Sequence, residues 1–511
     1  MSIVLLENIT HQNGGKKLYV DSSMRINNGE HVALVGPNGA GKTTLLNIIA
    51  GKIVPDHGNV EWHPKSKMGY LDQHQEVDMT ILAGDYLKDA FAHLYDIEAQ
   101  IHQIYADMAI EYKEEDLIKA LAMQDELNVK GFDQVEKIIG NLVSGLGINV
   151  ENLSKQLGQL SGGQRGKVLL AKLLLKNDDF ILLDEPTNFL DVEQVEWLAG
   201  FLNTYENAFL LVSHDEEFIN KTVGIIYAIE NLEINRYVGN FEKYLELSEL
   251  RANQYDRDRE SQQQQIGKLK EYIAKNGARA STARSAESRK KQLEKIDVMD
   301  ERKVQAKPKM NFKYRRPASA VIVKAENLEI GYDFALTDPL TFELREGEKC
   351  IVRGYNGIGK TTFLSTVSGD LKPISGKIMV GNGVETSFFH QIEDYGDMTP
   401  IAYLMSNHPK MLEGEVRATI GRFGVKSELM MNPMKLLSGG EQTKVRLASL
   451  SLEPASLLIF DEPTNHIDIL AKEALLEAIQ AFEGTVLLTT HDINFETNWA
   501  DKVLNFEDLV E

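Results

Sequence analysis

The sequence predicts two tandem copies of one α/β domain joined by a helical segment. Three observations support this prediction. Three motifs of the first half recur in the same order in the second half, the intervals between corresponding residues match, and short apolar runs alternate with helical patterns in both halves. Motifs repeated at a long, fixed spacing indicate a duplicated domain. Strands that alternate with helices predict a largely parallel sheet with helices on its faces.

The repeated motifs and their spacing define the duplication. The first motif is Gly36-Pro37-Asn38-Gly39-Ala40-Gly41-Lys42-Thr43-Thr44, which recurs as Gly354-Tyr355-Asn356-Gly357-Ile358-Gly359-Lys360-Thr361-Thr362. The second is Leu160-Ser161-Gly162-Gly163-Gln164, which recurs as Leu437-Ser438-Gly439-Gly440-Glu441. The third is Leu183-Asp184-Glu185-Pro186-Thr187-Asn188, which recurs as Phe460-Asp461-Glu462-Pro463-Thr464-Asn465. In both halves the lysine precedes a glutamine by 31 residues, the serine precedes the glutamate by 24, and the glutamate precedes a histidine by 29. The interval from lysine to serine is 119 residues in the first half and 78 in the second, so the first half carries an insertion of about 41 residues.

Each predicted strand is a short apolar run, which is typical of a buried strand. These runs are His31–Val35, Phe180–Leu183, Phe209–Val212, Leu457–Phe460 and Thr485–Leu488. Helical patterns follow Lys42, Ser161, Lys360 and Ser438. Two of the three repeated motifs therefore begin where a strand ends, at the edge of a parallel sheet that binds ligands.

The first motif matches the pattern G-x-x-x-x-G-K-[ST]. Its glycines let backbone N–H groups surround a phosphate, and the N-terminus of the following helix attracts the phosphate charge. We expect Lys42 and Lys360 to reach the β- and γ-phosphates, and Thr43 and Thr361 to bind Mg²⁺. One chance match in such a chain has a probability of roughly 0.02, so two matches after apolar strands predict two nucleotide sites.

Two acidic pairs end apolar strands. Asp184 and Asp461 suit the Mg²⁺ shell, because side chains at this point emerge into the ligand crevice of the sheet. Glu185 and Glu462, the next residues, suit polarising the attacking water. The alternative is that these carboxylates only cap the following turn.

A histidine and a glutamine complete each predicted site. His214 and His491 follow the next apolar strand at a matched offset, which favours a contact with the γ-phosphate over a structural role. Gln73 and Gln391 share their offset from the lysine and are assigned to the nucleotide and to Mg²⁺.

The Leu-Ser-Gly-Gly-Gln/Glu motif is not part of the general phosphate loop. Its serine and two glycines open a helix and form a second anion-binding N-terminus. With this motif the chain resembles the ATP-binding cassette superfamily, and the resemblance covers nearly the whole chain. In that superfamily two cassettes pair head to tail, and each ATP lies between the phosphate loop of one cassette and the signature motif of the other.

The resemblance implies two complete ATP sites. Site 1 would consist of residues of the first half and the signature motif of the second: Lys42, Thr43, Gln73, Asp184, Glu185 and His214 with Ser438, Gly439 and Gly440. Site 2 would consist of residues of the second half and the signature motif of the first: Lys360, Thr361, Gln391, Asp461, Glu462 and His491 with Ser161, Gly162, Gly163 and Gln164. Glu441 stands where the other signature has Gln164. Tyr332 fits the superfamily's adenine-stacking aromatic residue, whereas the first half has His11-Gln12-Asn13 in that place.

The charge of the chain is unevenly distributed. The net charge is −21, but residues 251–316 contain 19 Lys and Arg against 9 Asp and Glu. Apolar residues recur at helical spacing on both sides of the turn signal Asn276-Gly277, at Ile266, Leu269, Tyr272 and Ile273 and again at Leu293, Ile296 and Met299. This pattern predicts a helical hairpin with its tip near residues 275–288.

A cationic hairpin on an acidic chain suits a phosphate backbone, and RNA is the natural target because its recognition depends on shape. The candidate RNA contacts are Lys275, Arg279, Arg284, Arg289, Lys290 and Lys291. The alternative is a solvated helical face with a flexible tether.

Two tandem cassettes and this linker resemble the ABC-F family of ribosome-associated ATPases, nearest to its YbiT-like branch. Residues 278–289 resemble the family's linker tip, and Gly239-Asn240-Phe241-Glu242-Lys243-Tyr244 its lead-in. The resemblance implies a cytoplasmic, monomeric ATPase that clamps ATP and Mg²⁺ between its own cassettes. In the ATP-bound form it would occupy the E site of the 70S ribosome beside 23S rRNA and the L1 stalk, contact P-site tRNA through the linker, and leave on hydrolysis.

Three domains are predicted. Residues 1–240 form the first cassette with an arm at about 85–142, residues 241–317 the linker, and residues 318–511 the second cassette. The arm carries 13 acidic and 5 basic residues. It resembles the family's arm and suits a basic ribosomal protein better than bare RNA, or it is a solvated helical pair.

Composition excludes several classes of protein. No apolar run approaches the roughly 18–20 residues that cross a bilayer, and Cys350, the one cysteine, permits no internal disulfide and is expected to be buried. Three alternatives remain: an antibiotic-resistance factor of the same family, a transporter ATPase with separate membrane subunits, and a DNA-structure ATPase.

Overall fold

The computed structural model describes residues 2–71, 77–276, 283–294, 296, 298, 307–390, 395–465, 467–490, 495 and 499–509. The first half and the linker contain the strands β1 Ser2–Asn13, β2 Lys16–Asn27, β3 His31–Val35, β4 His57–Trp62, β5 Met68–Leu71, β6 Phe180–Asp184, β7 Ala208–Val212, β8 Ile225–Glu230 and β9 Glu233–Val238. Their helices are α1 Lys42–Ile49, α2 Ala83–Lys88, α3 Ala92–Ile110, α4 Glu114–Val129, α5 Val135–Gly145, α6 Gly162–Lys176, α7 Val192–Asn203, α8 Glu216–Thr222, α9 Phe241–Asn276 and α10 Ala283–Glu294.

The second half repeats this order with fewer elements. Its strands are β10 Lys313–Tyr314, β11 Val321–Glu329, β12 Leu340–Arg345, β13 Lys349–Arg353, β14 Ser375–Val380, β15 Thr386–Phe389, β16 Pro454–Ala455, β17 Leu457–Asp461, β18 Thr485–Thr489 and β19 Lys502–Asn505. Its helices are α11 Lys360–Ser368, α12 Pro400–Asn407, α13 Glu413–Arg422, α14 Gly439–Leu450 and α15 Ile469–Ala481.

A mostly parallel central sheet forms the middle layer of each half. The first sheet has the order β5-β6-β7-β3-β8-β9, and β9 is its antiparallel edge strand. The second has the order β15-β17-β18-β13-β19 and is parallel throughout. The predicted strands are therefore confirmed. β6 and β17 are each longer by the aspartate of the acidic pair, β7 by Ala208 and β18 by Thr489.

Both faces of each central sheet are buried. Successive side chains of a strand point to opposite faces, so Ala33 and Val35 lie in one core with the helices, while Val32 and Leu34 lie in another with Leu6 of β1. In the second half Ile351 and Val352 divide in the same way between two cores. A three-stranded antiparallel sheet covers the second face in each half, β2-β1-β4 or β12-β11-β14. The predicted α/β duplication is confirmed, and Cys350 is buried.

The insertion of the first half is helical, as predicted. Helices α3 and α4 lie against each other and bury Leu94, Ile101 and Leu127 between them and the neighbouring helices. The outer ends of this pair are exposed, with Ile110 and Val129 almost fully accessible. Between β15 and α14 the described residues of the second half form two shorter α-helices, α12 and α13.

The linker begins as a continuation of the first half. Helix α9 runs for 36 residues without interruption. Near its start, the carboxylate of Glu230 accepts hydrogen bonds from Tyr237 at 2.8 Å, Ser248 at 2.8 Å and Tyr244 at 3.2 Å. Because Glu230 ends β8 while Tyr244 and Ser248 lie on α9, this cluster attaches the helix to the central sheet.

Helix α10 packs against α9, with the Arg289 guanidinium 3.5 Å from the ring centre of Tyr272. The predicted pairing of two helices is observed, while residues 277–282 lie outside the described residues. One detail of the prediction is wrong. Helix α10 ends at Glu294, so Ile296, assigned by its spacing to the helix, lies beyond its end, and its N–H donates to the Leu293 carbonyl at 3.2 Å.

Candidate active site

The first phosphate loop lies between β3 and α1, and its shape depends on glycine. Gly41 has a φ of 103°, and a Cβ at this position would lie 3.0 Å from Leu18 and 3.1 Å from Tyr19. The next residue, Lys42, begins α1 and is 9% exposed, and its Nζ donates to the carbonyl oxygen of Gly36 at 2.8 Å. The ammonium group therefore lies inside the curve of the loop, where loops of this type bind phosphate.

The second phosphate loop has the same construction. Lys360 begins α11 and donates to the carbonyl oxygens of Gly354 and, at 3.3 Å, Tyr355. Burial lowers the pKa of Lys42 and of Lys360, and the acidic pair of the same half opposes this shift in each case. Each lysine is held between loop carbonyls and the acidic pair of its own half.

The aspartate that ends β17 fits a metal ion. Asp461 is 1% exposed, its Oδ1 accepts from the Thr489 hydroxyl at 2.8 Å, and the Thr361 hydroxyl also bonds to its carboxylate. Burial raises the pKa of Asp461, while these hydrogen bonds lower it. Its Oδ2 is buried and has no hydrogen-bond partner among the described residues. An open carboxylate oxygen beside a threonine hydroxyl is the kind of donor set that Mg²⁺ prefers.

The first half places its aspartate in the same way. Asp184 is the last residue of β6, is 7% exposed, and lies close enough to Lys42 to affect that lysine's pKa. Thr43 follows Lys42 at the start of α1. Thr43 with Asp184, and Thr361 with Asp461, are thus the described candidates for metal ligands. Gln73 and Gln391 lie outside the described residues.

The two glutamates have left-handed backbone, with φ of 51° at Glu185 and 49° at Glu462. Such a conformation is costly for a residue with a Cβ and persists where the surroundings hold it. Here the backbone N–H of Glu185 donates to Val212 at 2.8 Å, and that of Glu462 donates to Thr489 at 3.1 Å. Each glutamate is therefore fixed through its backbone to the neighbouring strand.

His214 contacts the glutamate of its own half. Its backbone N–H donates to Glu185 Oε2 at 3.3 Å, and its Nε2 lies 3.5 Å from Glu185 Oε1. Burial raises the pKa of Glu185 to about 8, and Lys42 opposes this shift. In the second half Asn465 donates to Glu462 Oε2 at 2.7 Å. His491 lies outside the described residues.

Each signature motif caps the helix that it begins. The Ser161 hydroxyl accepts from the N–H of Gln164 at 3.3 Å, and Gln164 Oε1 accepts from the N–H of Ser161 at 3.1 Å. Ser438 and Glu441 make the same reciprocal bonds at 3.4 Å and 3.0 Å. This capping box satisfies donors at the helix N-terminus and explains why a glutamine or a glutamate follows the two glycines.

The second signature faces the phosphate loop of the first half. A Cβ on Gly39 would lie 3.7 Å from Glu441 Oε1 and 3.2 Å from Lys16 Nζ, and Lys16 also donates to the Gly39 carbonyl. On the other side, Asp191 of the first half is close enough to raise the pKa of Lys360. The two halves are therefore arranged head to tail around both phosphate loops.

Sequence reasoning missed two lysines at this interface. Lys16 lies at the start of β2 beside Gly39, and burial lowers its pKa, with Lys426 acting in the same sense and Glu441 and Glu428 opposing it. Lys472 of α15 donates to the backbone carbonyl of His214 at 3.4 Å. Neither lysine belongs to a repeated motif. The sequence offered one indication of Lys472: it lies one helical turn after Asp468, the residue that caps α15.

A cavity of about 340 Å³ lies between the halves. Its lining includes Glu185 and His214 from the first half and Glu462, Asn465 and Lys472 from the second. The glutamates assigned to the two sites therefore border one shared space.

In the second half, exposed aromatic residues lie where the adenine-stacking residue is expected. Tyr332 is 69% exposed and Phe334, which the sequence analysis did not single out, is 70% exposed. In the first half, His11 Nδ1 is 3.5 Å from Asp56 and its ring is stacked near that of the buried Tyr19. His11 is therefore engaged within its own half.

The basic residues of the linker lie on both of its helices. Lys275, Lys290 and Lys291 are exposed, and Lys275 pairs with Glu271. Arg289 stacks on Tyr272, and Arg284 lies on α10. Arg279 lies outside the described residues.

No helix within the part of the chain that the structure describes is long and apolar enough to cross a membrane.

Comparison with known families agrees with the duplicated architecture. A family profile described as ABC transporter matches residues 19–188 and 337–465, and a second profile with that description matches residues 227–312. The second match spans much of the linker.

Curated relatives match the chain over nearly its whole length. An uncharacterized ABC transporter ATP-binding protein of Bacillus subtilis, YfmM, is 39% identical and covers 99% of each chain. ABC transporter F family member 5 of Arabidopsis thaliana is 32% identical over 99% of this chain and 75% of its own. The probable ATP-binding protein YbiT of Escherichia coli O157:H7 is 30% identical over 98% of this chain and 96% of its own.

The fold also matches a solved structure. The archaeal ribosome recycling factor aABCE1, crystallised with the ribosomal stalk protein aP1, superposes with a TM-score of 0.59. The match covers 98% of this chain and 87% of that one at 18% identity. At this identity the likeness establishes the fold.

Proposed function

The chain belongs to the ABC-F family of tandem ATP-binding cassette proteins, and on that basis we propose that it is a ribosome-associated ATPase that regulates translation. In this proposal ATP closes the two halves, the closed form binds the ribosomal E site with the linker at the P-site tRNA, and hydrolysis releases it. The single observation that carries the ATP-driven clamp is the placement of Glu441 and its signature helix against Gly39 of the opposite half. The assignment of the chain to the YbiT-like branch stays a prediction, as do the domain boundaries and the site residues.

Each ATP would be bound by groups from both halves. At site 1 the phosphate-loop amides and Lys42 would bind the β- and γ-phosphates, and the N-terminus of α14 would complete the γ-phosphate shell. Neither half supplies all of these groups. ATP would therefore bind the closed arrangement more tightly than the open one, because only the closed arrangement provides both sets of contacts. This difference in affinity is what stabilises the closed arrangement.

Thr43 with Asp184, and Thr361 with Asp461, would hold Mg²⁺. The open Oδ2 of Asp461 supports this assignment. When bound, the ion would neutralise charge on the phosphate oxygens.

Glu185 and Glu462 would orient and polarise the attacking water. Their left-handed backbone and strand hydrogen bonds fix them in place, and positioned groups contribute most to phosphoryl transfer. His214, bonded to Glu185 through its N–H, would contact the γ-phosphate and sense its loss. The release of phosphate would then remove contacts that hold the halves together.

The linker supports an RNA partner. Lys275, Lys290 and Lys291 are exposed on a helical pair attached to an otherwise acidic chain, and such cations favour a phosphate backbone. A protein of the same fold carries the name ribosome recycling factor. Cytoplasmic location follows from a ribosomal partner.

The test is sedimentation of a chain with Glu185→Gln and Glu462→Gln from a cell lysate, with ATP and with ADP. We expect ATP to remain bound and unhydrolysed, so that the variant migrates with ribosomes in ATP alone. The unsubstituted chain is the control and should migrate with ribosomes only in part. Absence of the variant from ribosome fractions in both nucleotides would contradict the proposal and direct attention to a membrane or DNA partner.

A further inference from the structure

We propose that Lys472 is a positioning residue through which the second half holds the histidine loop of site 1, so that the two ATP sites are not equivalent. This proposal rests on the ATPase activity proposed above. It names a residue outside the repeated motifs.

The contact joins the halves at the loop that follows β7. Lys472 Nζ donates to the backbone carbonyl of His214 at 3.4 Å. The N–H of the same histidine donates to Glu185 Oε2 at 3.3 Å, and its Nε2 is 3.5 Å from Glu185 Oε1. His214 is therefore bonded through its backbone N–H to Glu185 of the same half and through its backbone carbonyl to Lys472 of the other half.

The first half has no equivalent lysine. Asp468 caps α15 and Asp191 caps α7 through matching bonds at 3.0 Å, which sets the register between the two helices. The residue four positions after Asp468 is Lys472, and the residue four positions after Asp191 is Val195. Val195 packs against the core of its own half, and a valine side chain has no hydrogen-bond donor.

The surroundings strengthen this difference. Both Lys472 and His214 line the cavity between the halves, whose other lining residues include Glu185 and Glu462. A hydrogen bond from an ammonium group is stronger in such a partly buried place than in open water. Lys472 lies on α15, while the amides proposed to bind phosphate lie on the loop between β3 and α1, and Lys42 begins α1. Lys472 should therefore affect the hydrolysis step at site 1 more than the affinity for ATP.

Single-site chains provide the test. Glu462→Gln leaves only site 1 competent, and Glu185→Gln leaves only site 2. Single-turnover hydrolysis of radiolabelled ATP then reports each site by itself. In the Glu462→Gln chain we expect Lys472→Met to lower the rate about tenfold, because the site loses one hydrogen bond from a charged group. The ATP concentration that gives half-maximal rate should stay within about twofold, and Lys472→Arg should restore most of the rate.

The second background and a neighbouring residue separate positioning from general damage. In the Glu185→Gln chain, Lys472→Met should change the rate far less than it does at site 1. Glu473, the adjacent exposed residue, pairs with Lys307 of the linker, and Glu473→Gln should alter neither rate. Equal losses at both sites, or no loss at site 1, would overturn the proposal. If the Glu462→Gln chain itself hydrolysed no ATP, the proposed ATPase would fall, and the role of Lys472 with it.

Discussion

At the scale of single residues, two glycines with left-handed backbone differ in how much they depend on having no side chain. Gly41 in the first phosphate loop has a φ of 103° and lies against Leu18 and Tyr19, whereas Gly51 after α1 has a φ of 72° and open space around its Cα. An alanine at either position would have a strained backbone, but only at Gly41 would its methyl group also contact neighbouring side chains. The loop that contains Gly41, proposed to bind phosphate, is therefore the more sensitive to a methyl group.

We expect Gly41→Ala to remove one of the two bound ATP molecules at a concentration that saturates the unsubstituted chain. The displaced loop no longer presents its amides to phosphate, while site 2 is unaltered. Equilibrium dialysis with labelled ATP measures this stoichiometry. Gly51→Ala is the matched control: it should cost about 1 kcal/mol of stability through backbone strain and still bind two. Two molecules bound by Gly41→Ala would contradict the assignment of this loop.

At the scale of elements, a buried ion pair joins the signature helix to the next helix in the second half. Lys444 of α14 bonds to Asp468, the N-cap of α15, and both side chains are almost fully buried. At the corresponding place in the first half, Lys167 of α6 donates to the neutral amide oxygen of Gln194 at 2.7 Å. The signature helix of the second half is thus held by a bond between two charged groups, whereas that of the first half is held by a bond from a charged group to a neutral amide.

Substitution of each lysine by methionine should reveal that difference. Lys444→Met leaves a buried carboxylate without its cation and should cost about 3–5 kcal/mol, while Lys167→Met loses a bond to an amide and should cost about 1 kcal/mol. For a domain of this size these values correspond to falls in melting temperature of roughly 10 °C and about 3 °C. Scanning calorimetry of the full chain measures both. Equal shifts would show that Asp468 finds another partner.

At the scale of the whole molecule, the chain suits a crosslinking measurement of closure. Its one cysteine, Cys350, is buried, and burial raises the pKa of its thiol to about 12. Such a thiol reacts poorly, because the thiolate is the reactive form. Introduced cysteines can therefore be modified selectively.

Lys16→Cys with Glu441→Cys places one thiol on each half beside Gly39. In the chain with Glu185→Gln and Glu462→Gln, a short bismaleimide should link these thiols in ATP and much less in ADP, because the proposed clamp closes when ATP is bound. Protein electrophoresis separates linked from unlinked chains, and the Lys16→Cys single variant controls for one-sided labelling. Equal linking in both nucleotides would contradict ATP-dependent closure.

The sequence was sufficient for those parts of the fold that depend on local pattern. Apolar runs predicted the central strands β3, β6, β7, β17 and β18, and repeated motifs predicted the phosphate loop with Lys42, the acidic pair with Asp184 and the helices that the signature motifs begin. The left-handed backbone of Glu185 was not predicted, because no local pattern distinguishes it from an extended residue. Lys472 was missed for a different reason: its contact with His214 joins residues 258 positions apart and exists only through the way the halves face each other.

The attachment of α9 at Glu230 makes the linker a lever. A helix of 36 residues is about 54 Å long at 1.5 Å per residue, and hydrogen bonds from its Tyr244 and Ser248 to the Glu230 carboxylate fix its base to the central sheet. A tilt of about 10° at that base would carry the far end through roughly 9 Å, more than two steps along a nucleic acid strand. Small rotations of the first half would thereby be converted into movements large enough to gain or lose a contact with the proposed RNA partner.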